Sequence, residues 1–241
     1  MSTLLKIAYQ PYKWLIAIPL LILNTLVMGL ICILVGFFFS QDAADILAVA
    51  WSRICCAVGP VKVKIHGKRH FSRFKSYVVV ANHQSMADIP ALHGFIGLKI
   101  KWVMKQELRN IPVFGAACEQ LGCIFVDRSN HDAAVRSIES AKEKLSKKSS
   151  VLFFAEGTRS RDGRLQPFKA GAFGMAMDLA VPILPITVRG TRDILPPGTM
   201  DLVPGTAEII IHPPIHPAAF SPDTLQDLSR ETKRVVGSGL S

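Results

Sequence analysis

No two of the five cysteines stand in a Cys-x2-Cys pair, and their number is odd. Cys32, Cys55, Cys56, Cys118 and Cys123 therefore read as reduced, mostly buried thiols in a reducing compartment, with neither a disulfide framework nor a zinc site. Gly-x-Ser-x-Gly is absent, which removes the most familiar nucleophile signature of a hydrolase. No basic stripe interleaved with aromatics and no nucleic-acid motif occurs, so nucleic acid is not an expected partner for the net charge of +10. An anionic membrane face or phosphorylated substrates suit that charge instead. Internal repeats, low-complexity tracts and disordered linkers are also lacking.

Charge itself is missing from Trp14 to Phe39. About twenty apolar residues cross a bilayer core as a helix, so this stretch is long enough to do so. It is too long for a secretory signal and lacks the small-residue cleavage site. Pro19, Asn24 and Gly29 leave a bent, re-entrant helix open as the alternative, and Trp14 stands where an interfacial anchor would. Ala43 to Val58 is apolar but interrupted by Asp45 and Arg53, and reads as a second helix lying in the interface. Lys and Arg flank both ends, which fits a hairpin returning both ends to the cytoplasm. The expected location is thus the inner (cytoplasmic) membrane, with the rest of the chain on the cytoplasmic side. A 49% hydrophobic content agrees with part of the surface meeting lipid.

Gly59-Pro60 marks a boundary between residues 1–58 and residues 59–241. Beyond it, Val61 to His66 alternates as a half-buried strand should. Further strands are expected at Tyr77–Ala81, Lys99–Met104, Cys123–Val126, Val151–Phe154, Ile183–Val188 and Ala207–Ile211. Helices are expected at Ile89–Phe95, Pro112–Gln120, Gly171–Ala180 and Thr224–Val236. One more, capped by Asn130, would carry Val135, Ile138, Ala141 and Leu145 on one face, with Glu143 ahead of Lys147. Strands alternating with helices predict an α/β fold: a central mixed sheet flanked by helices, preceded by an N-terminal membrane-associated helical segment.

The chemistry centres on Val78-Val79-Val80-Ala81-Asn82-His83-Gln84-Ser85-Met86-Ala87-Asp88-Ile89-Pro90. An apolar β-branched run stops at Asn82, and His83 sits on a polar turn. Asp88 suits a helix N-cap, and Pro90 fits only a first helical turn. Asp88 can fold back onto one imidazole nitrogen and leave the other facing a substrate, as a general base requires. Three further stretches join it. Ala155-Glu156-Gly157-Thr158-Arg159-Ser160 follows a strand, its glycine allowing close backbone approach and its guanidinium suited to phosphate. Gly122-Cys123-Ile124-Phe125-Val126-Asp127-Arg128 sets a second arginine at a strand end. Val181-Pro182-Ile183-Leu184-Pro185 is a rigidly started strand.

Together and in this order, these blocks resemble the glycerolipid acyltransferase family over about residues 60–190, with Lys105-Gln106-Glu107-Leu108, Pro112 and Gly115 adding an intermediate stretch. One departure is Ala155, where the family's third block usually carries proline. The resemblance implies an acyltransferase domain at 59–241 and a membrane-anchoring segment at 1–58. It implies transfer of an acyl chain from acyl-CoA or acyl carrier protein to a lysophospholipid acceptor, 1-acyl-glycerol-3-phosphate, giving phosphatidic acid. On this resemblance His83 is the base and Asp88 orients it, with no acyl-enzyme. Arg128 and Arg159 hold the acceptor phosphate, with Lys105 as a third cation, while Glu156 and Gly157 shape the acceptor pocket. Glu156 would bond the glycerol backbone, and amides near Gly157 would polarise the thioester. No metal and no cofactor beyond the thioester co-substrate is implied. His66, His70, His93, His131, His212 and His216 read as structural or solvated, since prolines 213, 214 and 217 rule out a helical metal pair at 212 and 216. Acylation of glycerol-3-phosphate or another lysolipid, or a non-catalytic lipid-binding protein, are the competing readings.

Overall fold

The computed structural model describes residues 3–127, 129, 136–139, 149–160 and 162–240. Helix α1 (Thr3–Tyr12) runs through a π-helical segment (Lys13–Ala17) into α2 (Ile18–Phe38). Then come α3 (Gln41–Val58), β1 (Val61–His66), β2 (Val78–Ala81), α4 (Asp88–Phe95), β3 (Ile100–Lys105), α5 (Phe114–Gln120) and β4 (Ile124–Val126). The chain continues with β5 (Ser150–Phe154), α6 (Gly171–Asp178), β6 (Ile183–Arg189), α7 (Thr191–Ile194), β7 (Gly205–Ile211) and α8 (Leu225–Ser238). Most of the helix expected after Asn130 lies outside the described residues, although 136–139 are helical.

The seven strands form one sheet in the order β1-β7-β6-β2-β5-β3-β4. Strands β6, β2, β5, β3 and β4 are parallel, whereas β7 runs antiparallel to β6 and parallel to β1. The sheet is therefore mixed, as expected. Strand alternation divides the core into two layers. Val79, Leu152, Leu184 and Ile186 pack toward Leu92, Ile96 and Trp102. Val78, Val80, Val151 and Ile183 pack toward Phe173, Met175 and Leu228.

Residues 7–38 form a 32-residue apolar helix, long enough to cross a membrane by length and composition. The π-helical segment sits just ahead of Pro19 and includes Leu15, whose carbonyl the proline ring would meet in an unbroken α-helix. Helix α2 then continues without interruption through Asn24 and Gly29. Asn24 Nδ2 donates to the Trp51 carbonyl at 3.2 Å, and Trp51 Nε1 donates to Thr25 Oγ1 at 3.1 Å, joining α2 to α3 as a hairpin. Lys13, 1% exposed, turns inward to Asp201 Oδ1 at 3.5 Å.

Helix α3 begins at Ser40, whose hydroxyl accepts from the Ala43 amide. Its small residues Ala44, Ala48, Ser52 and Cys56 form the buried face. Polar contacts fix it to the sheet unit: Lys101 Nζ lies 2.8 Å from Asp45 Oδ1, and Arg53 Nε donates to the Gly94 carbonyl at 2.9 Å. This helix packs on α4, with Ser52 and Arg53 against Gly94.

His93 of α4 is buried, and its Nδ1 accepts from Trp102 Nε1 at 2.9 Å. Burial, aided by the Lys101 charge, lowers its pKa from 6.5 to about 4. Between these values the unfolded chain binds a proton that the folded chain refuses, so stability falls as pH falls, by up to about 3 kcal/mol. Thermal midpoints at pH 7 and 5 should show this slope, and His93→Gln should flatten it. A slope that survives the substitution belongs to another group.

Candidate active site

Five parallel strands deliver their C-terminal ends to one edge of the sheet, where ligands of α/β folds bind. His83 leaves β2 there, Lys105 closes β3, and the Glu156 turn follows β5. Strand β4 points the same way and ends at Val126; Arg128 itself lies outside the described residues.

Asn82 makes the His83 corner possible. Its carboxamide donates to the Val188 carbonyl at 2.8 Å and accepts from the Val188 amide at 2.7 Å. The side chain thus replaces one backbone pair of the β2–β6 ladder, and the main chain is free to turn away. Ser85 Oγ then donates to the Leu195 carbonyl at 2.7 Å and accepts from the Ala87 amide.

Asp88 is fully buried, and its Oδ2 lies 2.8 Å from His83 Nδ1. The same oxygen accepts from the amides of Gln84 at 2.7 Å and Ser85 at 2.9 Å. The expectation that Asp88 caps α4 is corrected here: it is the first helical residue, Ala87 precedes it without a side-chain cap, and the carboxylate reaches back into the turn. Pro90 falls in the first turn as expected. An ionised carboxylate only accepts, so Nδ1 carries the proton and Nε2 keeps its lone pair. Nε2 has no partner among the described residues, and the imidazole side chain is 13% exposed. Asp88 Oδ1 is buried without a partner among those residues.

Two aromatic rings set the plane of that imidazole. Phe154 stacks on His83 with centroids 3.7 Å apart and planes 5° from parallel. Trp102, held by His93, packs on Phe154 at 5.5 Å.

The turn after β5 clamps the corner from the other side. Glu156 is buried; its Oε1 accepts from the His83 amide and its Oε2 from the Gln166 amide, both at 2.8 Å. Burial pushes its carboxyl above the usual range, opposed by those two amides. The Ser160 amide donates to the His83 carbonyl at 2.9 Å. Glu156 thus braces the His83 turn through both carboxylate oxygens. Gly157, at φ +72°, donates its amide to the Phe154 carbonyl at 2.9 Å, so that hydrogen is engaged within the turn. Arg159 is half-buried and makes no hydrogen bond or ion pair with another described residue. Lys105 reaches the same edge but is half-exposed and paired with Glu107 Oε1 at 2.7 Å. His66 and His216, like His93 and His212, lie outside this constellation; His131 is outside the described residues.

An apolar groove of about 340 Å³ opens between Leu21, Thr25 and Leu26 of α2 and Pro112, Phe114 and Met200. It lies toward the same edge, since residues 106–113 follow β3 and the Met200 loop starts at Leu195, the partner of Ser85.

The Acyltransferase family profile matches residues 62–189, more than half of the chain. A chloroplastic 1-acyl-sn-glycerol-3-phosphate acyltransferase of Brassica napus is 41% identical over 140 residues, or 58% of this chain and 40% of that protein. The alpha 1-acyl-sn-glycerol-3-phosphate acyltransferase of Homo sapiens is 32% identical over 170 residues, covering 70% of this chain and 60% of that protein. The matches thus span less than two thirds of these relatives' own length. The crystal structure of the 1-acyl-sn-glycerophosphate (LPA) acyltransferase PlsC from Thermotoga maritima aligns with a TM-score of 0.80 at 27% identity, covering 100% of this chain and 96% of that one. The matched region runs from β1 to the end of β6 and spans both turns that meet at His83, and the chain belongs to the acyltransferase family.

Proposed function

We propose that this chain transfers an acyl group from an acyl thioester, acyl-CoA or acyl carrier protein, to the free hydroxyl of 1-acyl-glycerol-3-phosphate, forming phosphatidic acid. The observation that carries the reading is an imidazole fixed through Nδ1 on a buried carboxylate, with Nε2 left for substrate. In this scheme His83 Nε2 takes the hydroxyl proton as the acceptor oxygen attacks the thioester carbon. The C–S bond breaks, and the departing thiolate receives the proton from the imidazolium. Asp88 holds the tautomer and stabilises the transient cation. No acyl-enzyme is needed. Arg159, free of protein partners among the described residues, would hold the acceptor phosphate, with Arg128 and Lys105 as further cations.

The N-terminal segment supports an amphiphilic acceptor. Trp14, Leu15, Leu20, Leu23, Leu34 and Phe37 expose apolar surface along residues 7–38, a face suited to lipid. Residues 1–58 would anchor the chain in the inner (cytoplasmic) membrane with the catalytic unit on the cytoplasmic side. The groove against α2 would receive an acyl chain.

Supplying the purified chain with labelled lysolipids and each donor tests the reading. The expected product is phosphatidic acid; faster acylation of glycerol-3-phosphate, or no transfer at all, would overturn it. Arg159→Ala should raise the acceptor KM by the equivalent of about 2–4 kcal/mol while leaving donor KM nearly unchanged. A matching rise in donor KM would remove the phosphate role.

A further inference from the structure

The positive φ of Gly157 has a specific use. A Cβ built on this residue would lie 2.8 Å from Lys169 Cε, 3.1 Å from its Cδ and 3.2 Å from its Nζ. Glycine therefore leaves space that this chain's own lysine fills, laying its stem across the turn and bringing the ammonium against it.

Lys169 is presented rigidly. Its amide donates to the Ala155 carbonyl at 2.8 Å, and three residues earlier the Gln166 amide is held by Glu156. Phe168 packs into the core layer beneath, and α6 starts two residues later. The backbone around the lysine is thus bonded to the turn that braces His83.

Among the described residues Lys169 has no ion pair or side-chain hydrogen bond. Glu156 has an amide on each carboxylate oxygen, and Asp162 Oδ1 accepts from Ser160 Oγ and the Arg164 amide. Arg159, two residues beyond Gly157, is likewise without a partner among those residues. Lys169, exposed, lies against Gly157, and Arg159, half-buried, follows that glycine by two residues, so both cations are open to an anion from solvent. A phosphate monoester has the charge and the acceptor oxygens to engage a guanidinium fork and an ammonium together.

We propose that Lys169 is a second ligand for the acceptor's phosphate monoester, acting with Arg159 from the Gly157 turn. This assignment rests on the reading that Arg159 holds that phosphate. Lys169→Met keeps the stem over Gly157 and removes the charge, and Lys169→Arg keeps a charge of different shape.

Steady-state kinetics on the full-length chain, with 1-acyl-glycerol-3-phosphate as acceptor, should show acceptor KM rising about tenfold in Lys169→Met, the loss of one charge-assisted contact. Lys169→Arg should recover part of it, with donor KM and the thermal midpoint unchanged. A lysine that only covers the turn would lower the midpoint and leave acceptor KM alone, which would overturn the proposal. A rise in donor KM would overturn it too, placing the ammonium on the donor. If Lys169→Met fails to fold, Lys169→Arg and Lys169→Gln decide, since only the neutral variant should lose acceptor affinity. Arg159→Ala run alongside separates the two levels. If Arg159→Ala spares acceptor KM, the underlying phosphate reading fails; if it raises KM and Lys169→Met does not, only this inference fails.

Discussion

Replacing His83 with alanine should reduce kcat by about 10²–10⁴-fold, the usual contribution of a positioned base. Folding should survive, because the interactions that shape the corner involve the main chain of His83 and the side chains of Asn82, Ser85 and Asp88. The His83 amide to Glu156 and the Ser160 amide to the His83 carbonyl remain after the ring is removed. Asp88→Asn should also lower kcat more than it raises acceptor KM. An amide can offer a donor to Nδ1 and so hold the imidazole with its proton on Nε2, the wrong nitrogen for a base. Asn at 88 must also satisfy the Gln84 and Ser85 amides that the carboxylate now accepts. A thermal melt is therefore needed to separate tautomer from folding. The pair acts as one unit, so the double mutant should be little worse than His83→Ala alone. Multiplying losses would show that the residues act independently. Near-normal turnover by His83→Ala would end the proposed mechanism.

Asp45→Ala should destabilise the fold by about 3–5 kcal/mol, the cost of stranding a buried charge. Its partner, the Lys101 side chain on β3, is only 4% exposed, and its ammonium contacts both Asp45 oxygens at 2.8 and 3.0 Å. Burial raises the Asp45 carboxyl above its ordinary range even against the pull of Lys101. The pair is therefore costly to bury, and its net stabilisation is much smaller than the damage from losing one member. Asp45→Leu combined with Lys101→Met should accordingly be more stable than Asp45→Ala alone. Denaturant unfolding in detergent measures both. A loss below about 1 kcal/mol for Asp45→Ala would mean that Lys101 finds water when its partner goes.

The sequence showed the elements whose pattern is local. Alternation in Val61–Ile65, the apolar runs at β2, β5 and β6, and the uncharged 14–39 stretch each became the expected element. His83 and Asp88 were legible together because a turn brings five-residue neighbours into contact. Interactions across the sheet were not. Asn82 meets Val188 only because β6 lies beside β2, and nothing between those positions encodes strand order. The ring of Phe154 reads as one more strand residue until β5 and the corner are adjacent. Glu156 gives no local sign of its place under the His83 turn. Its burial and two amide partners become visible only in three dimensions. Lys13 gave no sign of being buried: its inward turn depends on the π-helical register that precedes Pro19.

The carboxamide of Asn82 gives the corner its own exchange clock. Elsewhere in β6 an amide exchanges with deuterated solvent only when strands separate, an event approaching global unfolding. The Val188 amide is held by a side chain of the turn instead. It is released whenever the turn lifts, even while β2 and β6 stay zipped at Val79 and Leu184. The difference in protection between Val188 and the deeper β6 amides therefore measures the free energy of opening the histidine corner alone, and binding of either substrate there registers as slower exchange at a single strand position.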